Sequence, residues 1–403
     1  MPALPIFAGW FLLVLATLAL LLWLTVAGRL VRLARLRPSV REGRGAIGDT
    51  TAWPPVSVVI PAHNEERVVD ACVRSLRDQD YPNLEIIFVL DRCTDDTRNI
   101  LSRHAAEDDR VRFVENETCP DDWAGKCNAA RCGAELASGD FLLFTDADTI
   151  FAPDLIRAAV TLARTHALAL LSILSTLTTH HRYERIAQPV ASINLIRLYP
   201  IERVNTDRNP RPFANGQFML FRRQDYDTLG GHAAVKSALL EDIAFARAVH
   251  ASGGRTGVFV ADGMLVCSMY DTFAAFRTGW KRIYIEACNR RPDRLRKNAW
   301  RTMVVGVGIP LLQIATFGVG VAFAAGSART LGVALMGVAG AGFLTQLGAL
   351  LYMYRLCGAP LTAVAGYPLG AWAVAGIMRE AADDLERRRP IAWGGREYVL
   401  EPR

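Results

Sequence analysis

The sequence lacks several patterns that mark common classes of soluble protein. Its eight cysteines are scattered, with no Cys-x-x-Cys pair and no histidine at ligand spacing, so neither a zinc site nor a disulfide framework is indicated. No Gly-x-Gly-x-x-Gly follows the first predicted strand, which excludes a dinucleotide-dependent dehydrogenase. No basic patch with interleaved aromatic residues stands apart from the apolar segments, so we expect no nucleic-acid partner.

Charged side chains are missing from three long stretches, residues 6–28, 302–326 and 331–354. The first has 23 residues, which at ~1.5 Å per residue cover the ~30 Å hydrocarbon core of a bilayer. A fourth stretch, 359–378, is shorter and is broken by prolines and glycines. Because 51% of the residues are hydrophobic and are concentrated in these stretches, the chain is predicted to be a membrane protein.

Arginines follow the first apolar stretch instead of preceding it. This order, and a length beyond the ~7–15 residue apolar core of a signal peptide, favours a retained membrane helix over a cleaved signal. Basic residues flank the middle of the chain on both sides, so the positive-inside rule places the middle region in the cytoplasm. The two basic groups, opposed in the first only by Glu42, are Arg29, Arg32, Arg35, Arg37, Arg41 and Arg44, and then Arg290, Arg291, Arg294, Arg296, Lys297 and Arg301.

Strand and helix patterns alternate through the middle region. Such alternation predicts an α/β domain with a doubly wound sheet, whose ligands bind at the carboxyl ends of the strands. The predicted strands lie at 56–60, 85–90, 111–114 and 141–144, and the predicted helices at 67–78, 94–104 and 153–165.

Acidic residues follow three of these strands and converge on one crevice, which is costly unless a cation or donor hydroxyls offset their charge. Asp146 and Asp148 come directly after the run 141–144. Positions i and i+2 of an extended chain face the same way, so both carboxylates can reach one hard divalent cation. Such a cation stabilises a departing nucleoside diphosphate. The alternative is a surface Asp-x-Asp turn without a ligand.

Four motifs occur in an order that resembles the family 2 glycosyltransferases. They are Val-Ser-Val-Val-Ile-Pro-Ala-His-Asn-Glu-Glu at 56–66, Gln-Asp-Tyr-Pro at 79–82, Asp91 with Asp-Asp-Thr at 95–97, and Asp-Ala-Asp at 146–148. The resemblance covers roughly 54–290. It implies the GT-A fold, a doubly wound, Rossmann-like mixed sheet, together with a nucleotide-sugar donor (usually UDP-linked), a Mg²⁺ or Mn²⁺ ion and inversion at the anomeric carbon. A further segment, Trp-Ala-Gly-Lys-Cys-Asn at 123–128, is similar to that of membrane family members acting on lipids, and Leu-Tyr-Pro at 198–200, Ala-Asn-Gly-Gln-Phe at 214–218 and Gly-Gly-His at 230–232 extend the likeness. By these motifs the chain resembles the hopanoid-associated and carotenoid-type enzymes and, more distantly, ceramide glucosyltransferases.

Gly125 and Lys126 precede a predicted helix. A glycine allows the backbone to approach a phosphate or sugar and a lysine supplies positive charge, although a solvated lysine is the alternative. The resemblance implies that Glu65 and Asp91 contact the nucleoside, with Asp91 at the base, whereas a helix dipole is another explanation for Glu65. The donor-binding residues that it implies are Pro61, Asn64, Glu65, Asp91, Asp96, Lys126, Asp146, Gln217, Trp280 and Arg282, and the metal ligands are Asp146 and Asp148.

Trp280 and Arg282 belong to a Gly-Trp-Lys-Arg segment just before the second basic group. The segment is similar to the Gln-x-x-Arg-Trp element of processive relatives, but it has no matching glutamine and its tryptophan precedes the arginine. Processive polymer synthesis is therefore not expected. An interfacial tryptophan with basic neighbours is the alternative to a donor contact.

Glu241 and Asp242 begin a predicted helix after two leucines. A carboxylate at this place takes the proton from an acceptor hydroxyl if the two are within hydrogen-bond reach. The helix dipole alone also favours an acidic pair at a helix N-terminus. The resemblance implies that the pair carries the general base, and we predict Asp242 in this role with Glu241 supporting it.

These observations predict an inverting glycosyltransferase that moves a sugar from a nucleotide-sugar to a lipid acceptor. The expected place is the cell (inner) membrane, with several crossings and a cytoplasmic catalytic domain. One alternative is a polyprenyl-phosphate glycosyltransferase, for which Arg222, Arg223 and Lys236 leave room. The other is a non-catalytic scaffold that binds sugar nucleotides.

The predicted organisation has five segments. Four full crossings would put the basic tail outside, so we expect 359–378 to be interfacial or re-entrant, while a full crossing stays open. The C-terminal part then supplies two to three transmembrane helices. The segments are a transmembrane helix at 1–28, a basic juxtamembrane linker at 29–53, the cytoplasmic GT-A domain at 54–290, transmembrane or interfacial helices at 291–378 and a basic cytoplasmic tail at 379–403.

Overall fold

The computed structural model describes residues 3–36, 38–45, 53–206 and 211–403. Arg37 and residues 46–52 of the predicted linker lie outside the described residues. The strands are β1 Val56–Ala62, β2 Leu84–Asp91, β3 Val111–Asn116, β4 Phe141–Phe144, β5 Thr149–Phe151, β6 Leu170–Leu174, β7 Thr176–Leu177, β8 Met219–Arg222, β9 Thr256–Val260, β10 Leu265–Cys267, β11 Ile391–Trp393 and β12 Arg396–Tyr398.

The helices fall into a membrane set at the two ends of the chain and a set around the sheet. A π-helical turn, Val304–Gly308, joins two of the C-terminal helices into one rod. The helices are α1 Ala3–Leu36, α2 Glu42–Gly45, α3 Val69–Arg77, α4 Thr97–Glu107, α5 Gly125–Leu136, α6 Leu155–Thr165, α7 Arg182–Leu198, α8 Ile201–Val204, α9 Arg223–Thr228, α10 Glu241–Ala251, α11 Phe273–Ala287, α12 Pro292–Met303, α13 Ile309–Ala324, α14 Arg329–Leu356 and α15 Tyr367–Glu386.

Seven strands form the central sheet in the order β3-β2-β1-β4-β8-β6-β9. The strands β3, β2, β1 and β4 are parallel, as the alternation of strands and helices predicted. β8 runs antiparallel to both of its neighbours, β4 and β6, so the sheet is mixed. The structure therefore confirms the α/β class and the GT-A-like mixed sheet.

Both faces of this sheet are covered by helices, which explains the nearly unbroken apolar runs in its strands. Side chains of α3, α4 and α6 pack on one face, against Val58, Ile60 and Leu143 among others. Side chains of α5 and α10 pack on the other face, where Val59 and Phe144 lie. Removing each such side chain from water contributes about 1.5–3 kcal/mol. This core fixes the carboxyl ends of β1, β2 and β4 relative to one another.

Four helices are long and apolar enough to cross a membrane: Ile6–Arg35, Pro292–Ala324, Arg329–Leu356 and Leu361–Glu386. The first continues past the predicted boundary at 28, because the arginine- and leucine-rich sequence after it also favours helix. α13 and α14 pack closely through small residues, since a Cβ on Gly332 would lie 2.3 Å from the backbone nitrogen of Ala324. Close approach through small residues is typical of helix pairs in membranes.

α15 packs on the catalytic domain and on α12. Near its start, a Cβ on Gly370 would lie 2.2 Å from the backbone oxygen of Ile186 in α7. Near its end, Lys281 of α11 binds Glu380 at 3.0 Å and Asp384 at 2.7 Å. Both halves of this helix are therefore anchored to elements of the catalytic domain.

Candidate active site

The carboxyl end of β4 meets the start of α5 and the start of α10 at one cavity of about 650 Å³. One side of the cavity is polar and the other is apolar. The apolar wall comes from α7, from the segment before α10 and from the end of α14. The polar residues include Lys126, Asp146, Asn215, Gln217, Glu241, Asp242 and Arg282, and the apolar ones include Leu195, Ile196, Phe213, Leu240 and Leu356.

Lys126 stands at the centre of the polar side. Its Nζ lies 2.6 Å from Asp146 Oδ1 and 2.8 Å from Glu241 Oε1. Burial alone would lower the pKa of Lys126, but the two carboxylates outweigh that effect and raise it, so the side chain stays charged. Burial opposes ionisation of Glu241 in turn, while the lysine holds the pKa of this carboxyl below its ordinary value. Two predicted site residues from distant parts of the chain are thus joined by one lysine.

Gly125 allows this lysine to approach the strand ends. A Cβ at Gly125 would lie 3.0 Å from Asp91 Oδ2 and 2.9 Å from Arg92 Nη2. A Cβ here would displace one of these side chains, so glycine gives α5 its close approach to the end of β2. The sequence had indicated close backbone approach at this residue, and the structure shows the approach to be to the Asp91 carboxylate.

Asp242 lies beside Glu241 at the first turn of α10 and lines the same cavity. Its Oδ2 accepts a hydrogen bond from the backbone N–H of Gly216 at 2.8 Å, and its Oδ1 accepts one from that of Ile243 at 2.7 Å. Burial, with the negative charge of Glu241 adding to it, raises the pKa of Asp242 to about 7. A carboxylate with a pKa near neutrality is suited to act as a general base.

Asp148 and Glu65 add two more carboxylates near Asp146 at the end of β4. Burial, followed by the charge of Asp146, raises the pKa of Asp148 to about 7. Burial also raises the pKa of Glu65 to about 8, with Asp148 and Asp146 adding to the effect. Asp148 Oδ1 is buried and has no hydrogen-bond partner among the described residues.

This crowding fits a divalent cation, because an ion would offset the repulsion and supply a partner for the orphaned oxygen. The described residues contain no cluster of three or more metal-ligating side chains. The carboxylates of Asp146 and Asp148 therefore fit an ion that takes its remaining ligands from elsewhere, such as phosphate oxygens.

Asp91 ends β2 and is buried at the other side of the site, near the start of α5. Arg92 binds its carboxylate through two nitrogens, with Nη2 2.6 Å from Oδ2 and Nε 3.0 Å from Oδ1. Asn116, opposite it in β3, donates to Oδ1 at 3.1 Å. His63 Nδ1 lies 2.6 Å from the backbone oxygen of Asp91. Sequence reasoning had not identified Arg92 or Asn116 as neighbours of this residue.

The structure separates some of the other predicted donor residues from the cavity. Pro61 lies within β1, and Asn64 after it accepts a hydrogen bond from the backbone N–H of Thr94 at 2.8 Å, so it joins two strand-end loops. Asp96 is exposed before α4, where Asn99 donates to it at 2.6 Å. Its neighbour Asp95 instead accepts from the backbone N–H groups of Glu66 and Thr97. Donor binding by Asn64 and Asp96 stays a prediction.

Gln217, Trp280 and Arg282 all line the cavity. Gln217 Oε1 accepts hydrogen bonds from the side chains of Ser175 and Asn215. Trp280 is 2% exposed, so it lies in the protein interior and not at an open interface. Arg282 Nη1 donates to the backbone oxygen of Leu239 at 3.1 Å, just before the acidic pair of α10.

A C-terminal hairpin made of β11 and β12 covers this region. Its Tyr398 oxygen accepts a hydrogen bond from the backbone N–H of Gly125 at 3.2 Å, and the backbone oxygen of Gly394 accepts one from Arg92 at 3.2 Å. The ring of Trp393 lies 4.0 Å from the guanidinium carbon of Arg282. The sequence analysis described these residues only as part of a basic cytoplasmic tail, although they form a Trp-Gly-Gly-Arg-Glu-Tyr motif at 393–398. The signal was the pair of glycines between two short strand patterns.

Comparisons with known proteins find similarity to glycosyltransferases. The family described as Glycosyl transferase family 2 matches residues 57–230. The 4,4'-diaponeurosporenoate glycosyltransferase of Staphylococcus haemolyticus is 27% identical over 253 residues, which are 61% of this chain and 64% of that protein. The GalNAc(5)-diNAcBac-PP-undecaprenol beta-1,3-glucosyltransferase of Campylobacter jejuni is 32% identical over 95 residues, 24% of this chain and 30% of that protein. The chain thus spans less than two thirds of the length of both.

A solved structure of mannosyltransferase PcManGT from Pyrobaculum calidifontis, in complex with GDP-Man and Mn²⁺, is 18% identical in sequence with a TM-score of 0.45. The match covers 88% of this chain and 99% of that one.

Proposed function

We propose, from the premise that residues 57–230 form a family 2 glycosyltransferase domain, that the chain moves a sugar from a nucleotide-sugar donor to a hydroxyl group of a membrane lipid, with inversion at the anomeric carbon. One observation carries the proposal. A single cavity joins the carboxylates of Asp146 and Asp242 to an apolar wall that includes the end of α14, a helix long and apolar enough to span a membrane. A polar donor and the apolar body of a lipid thereby reach the same catalytic groups.

The donor would lie along the carboxyl ends of β1, β2 and β4, with its nucleoside toward Asp91 and its diphosphate toward Asp146. Lys126 brings positive charge to the diphosphate end, 2.6 Å from Asp146 Oδ1. Asp146 and Asp148 would hold a Mg²⁺ or Mn²⁺ ion. Glu65 lies near them, and their negative charges contribute to its raised pKa. When bound, the ion would offset the charge of the leaving nucleoside diphosphate. A UDP-linked sugar is the donor that we expect.

The C-terminal hairpin would complete the nucleoside end of the site. Tyr398 and Gly394 contact the residues beside Asp91, namely Gly125 and Arg92. Trp393 stacks on Arg282, which also holds the backbone just before Glu241. Because the hairpin contacts the nucleoside side directly and the segment before the acidic pair through Arg282, its position is expected to depend on bound donor.

Asp242 would act as the general base. As the acceptor oxygen forms its bond to the anomeric carbon, the bond from that carbon to the diphosphate breaks and the hydroxyl proton passes to the Asp242 carboxylate. The hydrogen bonds from Gly216 and Ile243 fix the orientation of this carboxylate. Glu241 keeps its negative charge through Lys126 and thereby favours proton uptake by its neighbour.

The catalytic domain would lie in the cytoplasm, beside the inner membrane. We propose three crossings, by α1, by the rod of α12 and α13, and by α14, with α15 lying against the cytoplasmic domain. The ion pairs of Lys281 with Glu380 and Asp384 support this arrangement, because charged pairs are costly within a bilayer. The hairpin also supports it, since it follows α15 and contacts Gly125.

A polyprenyl-phosphate acceptor is the second candidate, but the basic residues that left room for it do not line the cavity. Lys236 binds Asp122, Arg222 binds Asp225, and Arg223 donates to the backbone oxygens of Gly139 and Ala137. A non-catalytic scaffold is disfavoured, because Asp146 and Asp242 line one cavity, and the pKa values of Asp242 and of Asp148, two residues after Asp146, are both raised.

UDP release from the detergent-purified chain, with a panel of UDP-sugars, lipid extract and Mn²⁺, tests the proposal. We expect release that needs lipid and metal and that falls about 10²–10⁴-fold in Asp242→Asn, the range typical for loss of a general base. Asp227→Asn, an exposed carboxylate on α9, is the matched control and should keep full activity. Nucleotide binding without turnover under every combination would instead favour a scaffold, and lipid-independent release would contradict the assigned acceptor.

A further inference from the structure

A second cavity, of about 220 Å³, lies between α1, α7, α12 and α14. Leu33, Ile196, Leu356 and Cys357 line both this cavity and the catalytic one, so they form the wall between the two. On α1 the lining residues recur every three to four positions from Leu22 to Leu33. At ~1.5 Å per residue this face extends for roughly 16 Å along the helix. The cavity is therefore elongated along a helix that is predicted to span the membrane.

One part of this cavity is basic. Arg29, Arg197 and Arg301 line it, and no aspartate or glutamate is found among its described lining residues. Arg301 is exposed at its outer side, whereas Arg197 is half-buried. Within the described part of the chain, neither Arg197 nor Arg301 forms an ion pair with a carboxylate. Among the described residues, these two guanidinium groups thus share a partly enclosed space without a carboxylate partner.

Neutral groups hold Arg197 in place. Its Nη2 donates to Asn298 Oδ1 at 2.7 Å and to Asn194 Oδ1 at 3.3 Å. Thr302 donates to the same Asn194 oxygen at 3.0 Å, which links α7 to α12. Burial, followed by the charge of Arg301, lowers the pKa of Arg197. The asparagines fix the direction of the guanidinium without neutralising it, an arrangement that an incoming anion would complete.

Trp23 supplies an independent indication of a ligand. Its side chain lines the cavity and is 2% exposed, yet its Nε1–H has no acceptor among the described residues. A buried indole N–H without a partner is costly, and indole groups in proteins usually find an acceptor. The Trp23 N–H is therefore an unsatisfied donor in a cavity that two guanidinium groups also line, so the cavity favours a ligand with acceptor oxygens and negative charge.

We infer that this cavity binds the phosphate group of a membrane lipid, with the phosphate between Arg197 and Arg301 and an apolar chain along Leu22 and Val26 of α1. The apolar face of α1 distinguishes such a ligand from free phosphate, which has no chain to place there. The inference goes beyond the proposed function, because it concerns binding on the far side of the wall from Asp242 and needs no glycosyl transfer. Two sources carry such a phosphate, a bilayer phospholipid and a polyprenyl phosphate, and the chemistry of recognition is the same for both.

Binding to the delipidated full chain in a neutral detergent, measured by native mass spectrometry, tests the inference. Phosphatidylglycerol, polyprenyl phosphate, diacylglycerol and inorganic phosphate are the four probes. We expect one tightly bound molecule per chain for one or both lipid phosphates, and none for diacylglycerol or inorganic phosphate. Preference for phosphatidylglycerol identifies the bilayer as the source, and preference for polyprenyl phosphate identifies a phosphorylated lipid carrier. Equal binding of diacylglycerol overturns the inference.

Variants of the cavity separate a built site from general attraction to charge. Arg301→Gln and Arg197→Gln are each expected to weaken lipid-phosphate binding about tenfold or more, the loss that follows from removing a charge-assisted hydrogen bond. Lys297→Gln is the matched control, since it removes an exposed positive charge one turn earlier on α12 without lining the cavity. An equal loss in Lys297→Gln overturns the inference.

Trp23→Phe keeps the ring but removes the N–H, and it should weaken binding several-fold, as expected for one hydrogen bond. This variant and Arg301→Gln keep the test decisive if Arg197→Gln does not fold. Wild-type affinity in both would overturn the inference. Binding is measured without turnover, so failure of the proposed glycosyl transfer would leave the result of this experiment interpretable.

Discussion

Lys126 Nζ lies 2.8 Å from Glu241 Oε1, and this contact ties the start of α5 to the start of α10. The same nitrogen lies 2.6 Å from Asp146 Oδ1 at the end of β4. One buried cation thus sets the spacing between the carboxylates assigned to the metal and those assigned to proton transfer. The pKa of Asp242 near 7 depends on this arrangement, because the charge that Lys126 preserves on Glu241 is one of its causes.

Lys126→Met is predicted to lower stability strongly. It leaves the Glu241 carboxylate, whose side chain is 4% exposed, without its ion-pair partner. Removing one partner of a buried pair costs about 3–5 kcal/mol. Thermal unfolding in detergent should show a clear fall in Tm, and Lys126→Met with Glu241→Gln should recover much of it without restoring activity.

Lys236→Met is the control for this prediction. Lys236 pairs with Asp122 at the surface, where both side chains are largely exposed. Exposed pairs contribute about 0–1 kcal/mol, so the Tm should change little. Equal falls in Tm for the two lysine variants would show that burial of the Lys126 pair does not matter.

Activity is predicted to rise with pH up to about 7 and then level off. Asp242 has to be ionised to accept the proton, and its pKa is about 7, so kcat/KM should fall about tenfold per pH unit below that value. The assay is run with saturating Mn²⁺, because a bound cation favours the ionised forms of Asp148 and Glu65. The raised pKa values of these two residues then do not contribute to the pH profile. A profile that is flat between pH 5 and 7, measured with donor and lipid below KM, would exclude Asp242 as the base.

The same pKa has the opposite effect on stability. A carboxyl whose pKa is raised in the folded state holds its proton where the unfolded chain has lost it. The contribution of Asp242 is therefore fully present below pH ~4 and is lost as the pH rises through about 7. Activity is therefore expected to be highest above pH ~7, where Asp242 contributes least to the free energy of unfolding.

The first half of the sheet was predictable from the sequence because β1, β2 and β4 are apolar runs with helices between them. The antiparallel direction of β8 was not predictable, since the four residues Met219–Arg222 carry no signal of direction and the pairing is set by distant neighbours. Adjacent acidic residues were a similar difficulty. Asp95 and Asp96 are adjacent residues of the same type, so the sequence does not distinguish them. The turn before α4 directs the Asp95 carboxylate to the backbone N–H of Glu66, in the loop after β1, whereas Asp96 accepts from Asn99.

The partners of the predicted site residues were also beyond the sequence. Arg92 follows Asp91 directly, and neighbours in a strand face opposite ways, yet a backbone φ of 53° at Arg92 turns its side chain back onto the carboxylate. The contact between the hairpin and Gly125 joins residues 273 positions apart in the chain. Such contacts depend on tertiary packing and leave no local pattern.

Trp393→Ala is predicted to raise the KM for the donor with a smaller effect on kcat. It removes the stacking of the indole ring on Arg282, 4.0 Å from the guanidinium carbon. Cation–π contacts contribute about 0.5–2 kcal/mol, so the donor KM should rise roughly 2- to 30-fold. Tyr398→Phe, which removes the acceptor for the Gly125 N–H, should act in the same direction.

Val399→Ala is the matched control for the hairpin, because Val399 follows Tyr398 and is 58% exposed. It should leave both kinetic constants unchanged. If Trp393→Ala instead lowers kcat at an unchanged donor KM, the hairpin does not position the donor, and a role in product release or folding replaces the one proposed.

The C-terminus is predicted to lie on the same side of the membrane as the catalytic domain. Arg277 binds Glu380 at 2.5 Å and Lys281 binds Asp384 at 2.7 Å, so α15 is held against α11 by charges that a bilayer core would not tolerate. A reporter that fluoresces only in the cytoplasm should therefore be active when fused after Arg403. The same reporter fused after Ser327, in the turn between α13 and α14, should be inactive.

A fusion after Arg389, which omits the hairpin, tests whether the ion pairs of α15 or the hairpin hold this helix on the cytoplasmic side. Cytoplasmic activity of that fusion shows that the ion pairs of α15 suffice. Activity of an extracellular reporter after Arg403 would mean that α15 crosses the membrane, and the contact of Tyr398 with Gly125 would then be impossible.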